Sequence, residues 1–157
     1  MNNIKKVSLM LSILGFSSSV IANNTEEMSC PAPESVKYVS SRYEAKETHK
    51  GWEGRWVSRP HKQGEIEKFS IAEYFSENDK RTEGTLTNCT YKLREGSDVV
   101  DLEYHKNGEE SGLKTLIVSI KKQPYWRKES GAIGIQGYEC IKSATECKFI
   151  PLQIKEN

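Results

Sequence analysis

From Val36 onward, apolar and polar residues alternate with a period of two along most of the chain. That is the pattern of strands with one buried face and one wet face. Val36, Tyr38 and Ser40 fall on one side of such a strand, with Val39, Ser41 and Tyr43 on the other. Thr85 to Leu93 sets Cys89, Tyr91 and Leu93 against Asn88, Thr90 and Lys92. Val99 to His105 turns Val100, Leu102 and Tyr104 inward and Asp101, Glu103 and His105 outward, and Leu113 to Lys122 carries Leu116, Val118 and Ile120 on one side. The segments "REGSD", "HKNGEESG" and "ENDKRTEG" mix Gly and Asn with charge, as exposed loops do. The strands flanking "KNGEESG" are therefore expected to pair as a hairpin. Glu65 to Glu77 reads as a strand through Phe69, Ile71 and Phe75, with a short helix lined by Ile66, Phe69 and Ala72 as the alternative. Gln123 to Gly137 is Gly-rich and irregular, the pattern of a long loop. The expected fold is all-β, a small antiparallel β-sandwich or barrel stapled by two disulfides, with α+β carrying one short helix as the alternative.

Ahead of this pattern stands a different one. Lys5 and Lys6 precede an apolar run from Val7 to Phe16, and Ser17 to Ala22 is a small-residue exit. Residues 1–22 are expected to be a signal peptide cut after Ala22, with small side chains at Val20 and Ala22 where the peptidase needs them. The apolar run is too short to span a bilayer, no other stretch is long and apolar enough to be a membrane helix, and Asn23 in place of cysteine gives no lipid anchor. Residues 23–157 are then one domain of 135 residues, secreted or periplasmic, with 21 basic and 22 acidic side chains. That balance carries no global attraction for nucleic acid, which is not an expected partner.

Cys30, Cys89, Cys140 and Cys147 all lie in the exported part, and an even count in an oxidising compartment reads as two disulfides. Three connectivities are possible. In "YECIKSATECKF", Cys140 and Cys147 are symmetric about Ser143 and Ala144, so a tight hairpin would set them opposite each other and leave Cys30 for Cys89. A metal half-site on Cys140 and Cys147 lacks the second pair of Cys or His it would need.

Cys30-Pro31 near the mature start, Gly51 to Gly54 as Gly-Trp-x-Gly, and Cys89 to Tyr91 as a Cys-x-Tyr strand resemble a family of short, uncharacterised exported proteins of Gram-negative bacteria. The resemblance spans most of the mature chain. It implies a periplasmic or secreted location and a Cys30–Cys89 bridge, and it transfers no functional residue.

Candidate chemistry concentrates in "HKGWEGRWVSRPHK", His49 to Lys62. On a strand, Trp52, Gly54, Trp56 and Ser58 share one face, and Glu53, Arg55, Val57 and Arg59 share the other. The tryptophans read as core, or as a groove where flat rings stack on a glycan or peptide, with Tyr125 and Trp126 as a further wall. Arg55 and Arg59, with Lys50 and Lys62, form a local site for an anionic head group. Because the two sets lie on opposite faces, one ligand does not use both. Asp101, Glu103 and His105 are of metal-ligand type, but side chains two apart on a straight strand are about 6.5–7 Å apart and do not converge. With the cysteines oxidised and no G-x-S-x-G, H-E-x-x-H or phosphate-cradling loop present, "GAIGIQG" included, no catalytic residue and no cofactor are assigned. The N-x-[ST] matches at Asn23 and Asn88 matter only in a eukaryotic secretory route.

The expected function is an exported non-enzymatic binding module for a protein, glycan or anionic head group. The alternatives are a small carboxylate- or metal-dependent hydrolase and a periplasmic structural or inhibitory protein.

Overall fold

The computed structural model describes residues 27–77, 79–96, 98–109, 114–129 and 136–156; the expected signal segment 1–22 and all but the end of Gly131–Gly137 lie outside them. The described residues form one curled antiparallel sheet, a half-barrel closed on an aromatic core and stapled by Cys30–Cys89 and Cys140–Cys147. No α-helix occurs among them; a single 3-10 turn covers Pro33–Ser35. The short helix of the alternative reading is absent, because Ile66–Ser76 is strand.

In chain order the strands are β1 (Met28–Ser29), β2 (Lys37–Val39), β3 (Arg42–Glu47), β4 (Gly54–Ser58), β5 (Ile66–Ser76), β6 (Gly84–Leu93), β7 (Val99–Lys106), β8 (Lys114–Ser119), β9 (Arg127–Lys128), β10 (Gln136–Cys140) and β11 (Lys148–Glu156). The main path runs β1-β11-β8-β6-β7-β4-β3-β2, with β5, β10 and β9 branching from the other edge of β6. β6 is the organising strand. It pairs with β5 along one edge, and its other edge is shared: Gly84–Leu86 holds β8 and Cys89–Lys92 holds β7. At the handover the register to β5 skips Thr87, a bulge that turns the strand and lets the sheet curl.

This sharing overturns the expected hairpin of β7 with β8. The two lie end to end along β6, and β7 leaves β6 after Leu102 to stay with β4 through Lys106. The expected single strand over Val36 to Tyr43 is also corrected. Ser40 and Ser41 take φ of 49° and 65° and fold β2 onto β3 as a two-residue hairpin, bringing Tyr38 and Tyr43 to one face. Cys140 and Cys147 are bridged as expected but not across a hairpin. β10 pairs with β5 and β9, β11 pairs with β8 and β1, and the bridge ties these two parts of the sheet at a turn closed by the Cys147 amide on the Ser143 carbonyl. In β5 the phase also differs. Bulges move burial onto Ala72, Tyr74 and Ser76, and Phe69, Ile71 and Phe75 are half-buried.

The core is rich in aromatic rings that meet edge-on or tilted, such as Trp56 with Tyr104 and Phe149, and Tyr74 with Trp126 and Tyr138. Their polar ends find partners. Trp126 Nε1 donates to the Lys148 carbonyl, Tyr91 Oη to the Pro31 carbonyl and Tyr74 Oη to the Lys80 carbonyl. Burial pushes the Tyr74 phenol up to about 12.

Arg81, in the β5–β6 connection, pins a second loop. Its guanidinium donates to the carbonyls of Trp126, Ile120 and Gln123 and lies 5.2 Å from the Tyr138 ring centre, while its own carbonyl accepts from the Ile120 amide. Arg81→Met keeps the stem and removes the donors. It is expected to cost about 2 kcal/mol in urea unfolding, the scale of a charged donor lost from partly buried carbonyls. A loss near zero would mean that water replaces the guanidinium freely.

Candidate functional site

The outer face of β3, β4 and β7 is set by register. Alternation in β3 sends Tyr43 and Ala45 inward and Glu44 and Lys46 outward; β4 buries Gly54, Trp56 and Ser58 and exposes Arg55. β7 buries Val100, Leu102 and Tyr104 and leaves Asp101, Glu103 and His105 outside. Pairing puts Lys46 directly opposite Arg55, and Arg55 directly opposite His105. Three basic side chains thus stand in a row across three adjacent strands, about 4.8 Å apart strand to strand. Lys46 and Arg55 are like charges placed opposite each other, which weakens a sheet. Among the described residues the carboxylate that approaches this row within ion-pair distance is Glu44, 3.9 Å from Arg55, and both side chains are solvated. Arg42 extends the basic surface; its guanidinium donates to the Ser58 carbonyl. With Val39, Ser40, Glu44 and Val57, Arg42 and Arg55 line an open hollow of about 490 Å³.

One step along the same strands lies a second concavity. Arg59, Pro60 and His61, just past β4, face Thr87 and Asn88 of β6 and Val99, Asp101 and Glu103 of β7 across a cleft of about 390 Å³. Its floor is a fixed polar network. Thr90 Oγ1 donates to Asp101 Oδ1 at 2.6 Å, and Asn88 Nδ2 donates to Thr90 Oγ1 at 2.7 Å and to Asp101 Oδ1 at 3.2 Å. Asn88 and Thr90 are buried although polar, which their mutual bonds and Asp101 make tolerable.

The predicted residues are therefore divided. Arg55 and Arg59 are exposed on the outer face, on the row and on the cleft rim respectively. Trp56 is 0% exposed and Trp126 4%, so neither ring presents a stacking surface. Trp52 is half-buried at the end of the half-barrel, with Lys106 Nζ 4.8 Å from its ring centre. Tyr125, 42% exposed, stands apart from these with Lys142 over its ring. Asp101, Glu103 and His105 line up along β7 without converging, and no group of three His, Cys, Asp or Glu side chains gathers for a metal among the described residues. Lys46, Arg42 and Thr87 were not singled out by the sequence, and Asn88 stood out there only as an N-x-[ST] match. Alternation alone would have put Arg42 and Lys46 on one face, but only long-range register sets Lys46 beside Arg55 and Asn88 beside Asp101.

A family model with the description "Protein of unknown function (DUF3757)" matches residues 23–150. The chain belongs to this family. The matched stretch includes both disulfides, the basic row and every residue of the cleft, so the surface described above lies within the family's domain. No curated protein and no solved structure matches the chain. Two disulfides fit an extracellular or periplasmic setting. Among the described residues no helix is long and apolar enough to cross a membrane.

Beyond the cleft floor the outer face turns acidic. Glu73 on β5 stands opposite Glu139 on one side and Asn88 on the other. Burial pushes its carboxyl above the ordinary carboxylate range; Glu129, Asp101 and Glu139 add to the push, and the Asn88 amide opposes it. The folded state then takes up this proton at higher pH than the unfolded chain does. Ionised Glu73 therefore weakens the fold at neutral pH, and the penalty lifts as pH falls into the window where it protonates. Glu73→Gln is expected to melt above the wild type at about pH 7, with the two curves converging towards about pH 4. Calorimetry across that range checks it; a variant that melts lower at neutral pH would mean that the charge supports the fold.

Proposed function

We propose that the protein is an exported, non-enzymatic binding module that recognises an anionic ligand on the outer face of β3, β4 and β7. The observation that carries the reading is the row Lys46–Arg55–His105, three basic side chains directly opposite one another on a solvated sheet face. An arrangement that costs the sheet stability is accounted for by an anion that neutralises it. The burial of Trp56 and Trp126 supports the same choice, since it takes two of the four rings of the stacking alternative into the core, while Trp52 is half-buried and Tyr125 stands apart beside Lys142.

The double substitution Arg55→Ala and Arg59→Ala tests it. Both side chains are exposed, so the melting temperature is expected to move by no more than about 2 °C. Affinity for a linear polyanion, inorganic polyphosphate or polygalacturonate, is expected to fall at least about tenfold, and wild-type affinity to weaken with salt. A large loss of melting temperature would make the arginines structural. Unchanged polyanion binding, or none in the wild type, would overturn the reading.

A further inference from the structure

We infer that the anionic ligand is an acidic glycan, a chain of sugar rings bearing carboxylates, with its anionic groups on the Lys46–Arg55–His105 row and one ring in the adjoining cleft. The inference rests on the anion reading of the outer face and adds the ligand's chemical class.

Two features of the same face meet. The row is linear and crosses the strands, so its basic side chains recur at about the 4.8 Å spacing of neighbouring strands. That suits an extended polymer with one charge on each small rigid unit better than a compact ion. The cleft begins one same-face residue away: along β7, Glu103 follows His105 at about 6.5–7 Å, and along β4, Val57 and then Arg59 follow Arg55. The row and the cleft are therefore neighbours on one face, with Glu103 at the step between them.

The cleft lining is of the kind that holds a polyhydroxylated ring. Thr87, Asn88, Asp101 and Glu103 offer hydroxyl, amide and carboxylate groups, and Pro60 and Val99, the latter 48% exposed, offer apolar surface for a ring's C–H face. The floor is pre-set. Among the described residues both bonds to Asp101 land on Oδ1, which holds the carboxylate in one orientation and turns Oδ2 to accept from a ligand hydroxyl. Arg59 on the opposite wall supplies donors for a carboxylate carried by that ring.

The test separates the two levels by using a cleft-filling substitution that leaves the row intact. Val99→Trp places a large ring in the cleft from an exposed position on β7, and Thr87→Tyr does so from β6 should the first variant fold poorly. Binding of polygalacturonate, inorganic polyphosphate and dextran to the oxidised protein is measured by calorimetry for wild type, Arg55→Ala and the cleft variant. The expected result is polygalacturonate binding that falls at least about tenfold in both Arg55→Ala and the cleft variant, with any polyphosphate binding sensitive to Arg55→Ala alone. Equal binding of the two polyanions, with neither affected by the filled cleft, would overturn the glycan and leave the anion reading standing. Dextran binding as well as polygalacturonate, with Arg55→Ala inert, would overturn the anion reading and the acidic character of the ligand with it. No binding by any probe overturns both.

Discussion

Replacing Trp56 with alanine is expected to lower the unfolding free energy by about 4 kcal/mol, within the range of about 3–5 for truncating a buried Trp or Phe. The ring is fully enclosed, with centroids 5.5 Å from Tyr104 and 6.4 Å from Phe149, so removing it opens a cavity where β4, β7 and β11 meet. Its Nε1 also donates to Glu47 Oε2 at 2.9 Å, which leaves that carboxylate short of a partner when the indole goes. Trp56→Phe separates the two contributions. It keeps most of the packing and loses the bond, so it is expected to cost nearer 1–2 kcal/mol. Urea unfolding followed by far-ultraviolet circular dichroism reads both without relying on the fluorophore that is removed. A loss near zero for the alanine variant would place the ring on the surface and restore the stacking alternative for this segment.

Alternation made much of this fold legible, because period-two burial is written residue by residue. Val100, Leu102 and Tyr104 against Asp101, Glu103 and His105, and Trp56 against Arg55, lie on the faces that the sequence predicts. What could not be read is decided between distant segments. The Ser40–Ser41 turn needs two positive φ values that Asn-Gly would have announced and Ser-Ser does not. The division of the β6 edge between β8 and β7 depends on which strand reaches it, and a loop such as "HKNGEESG" is equally compatible with a hairpin and with a longer return. The site follows the same rule. Arg55 and Arg59 stand out in the sequence, but their neighbours Lys46, His105 and Asn88 come from strands separated by loops of unrelated length, and only cross-strand pairing assembles them. In Cys140 and Cys147 a symmetric spacing pointed to the right bond through the wrong geometry, since a seven-residue separation permits a bridged turn as readily as a hairpin.

The two bridges are expected to differ in worth by about twofold, and the difference follows from chain length alone. Cys30 and Cys89 are 59 residues apart, Cys140 and Cys147 only 7. By loop-closure entropy the first constrains the unfolded chain by about 4 kcal/mol and the second by about 2. All four cysteines are buried to 1% exposure or less, so replacing either pair by alanine leaves similar small cavities and the comparison isolates the loop term. The longer bridge also has more to lose in the folded state. It fixes the start of the domain to the organising strand β6, beside the bond from Tyr91 Oη to the Pro31 carbonyl and the turn at Pro33–Ser35. Cys30→Ala/Cys89→Ala is therefore expected to fall by about 4 kcal/mol or more in urea unfolding, and Cys140→Ala/Cys147→Ala by about 2. Equal losses would mean that the unfolded chain is already compact over the long loop, so that the bridge removes little freedom there. A larger loss for the short bridge would locate its value in the folded sheet, where it joins β10 to β11 across strands that do not pair with each other.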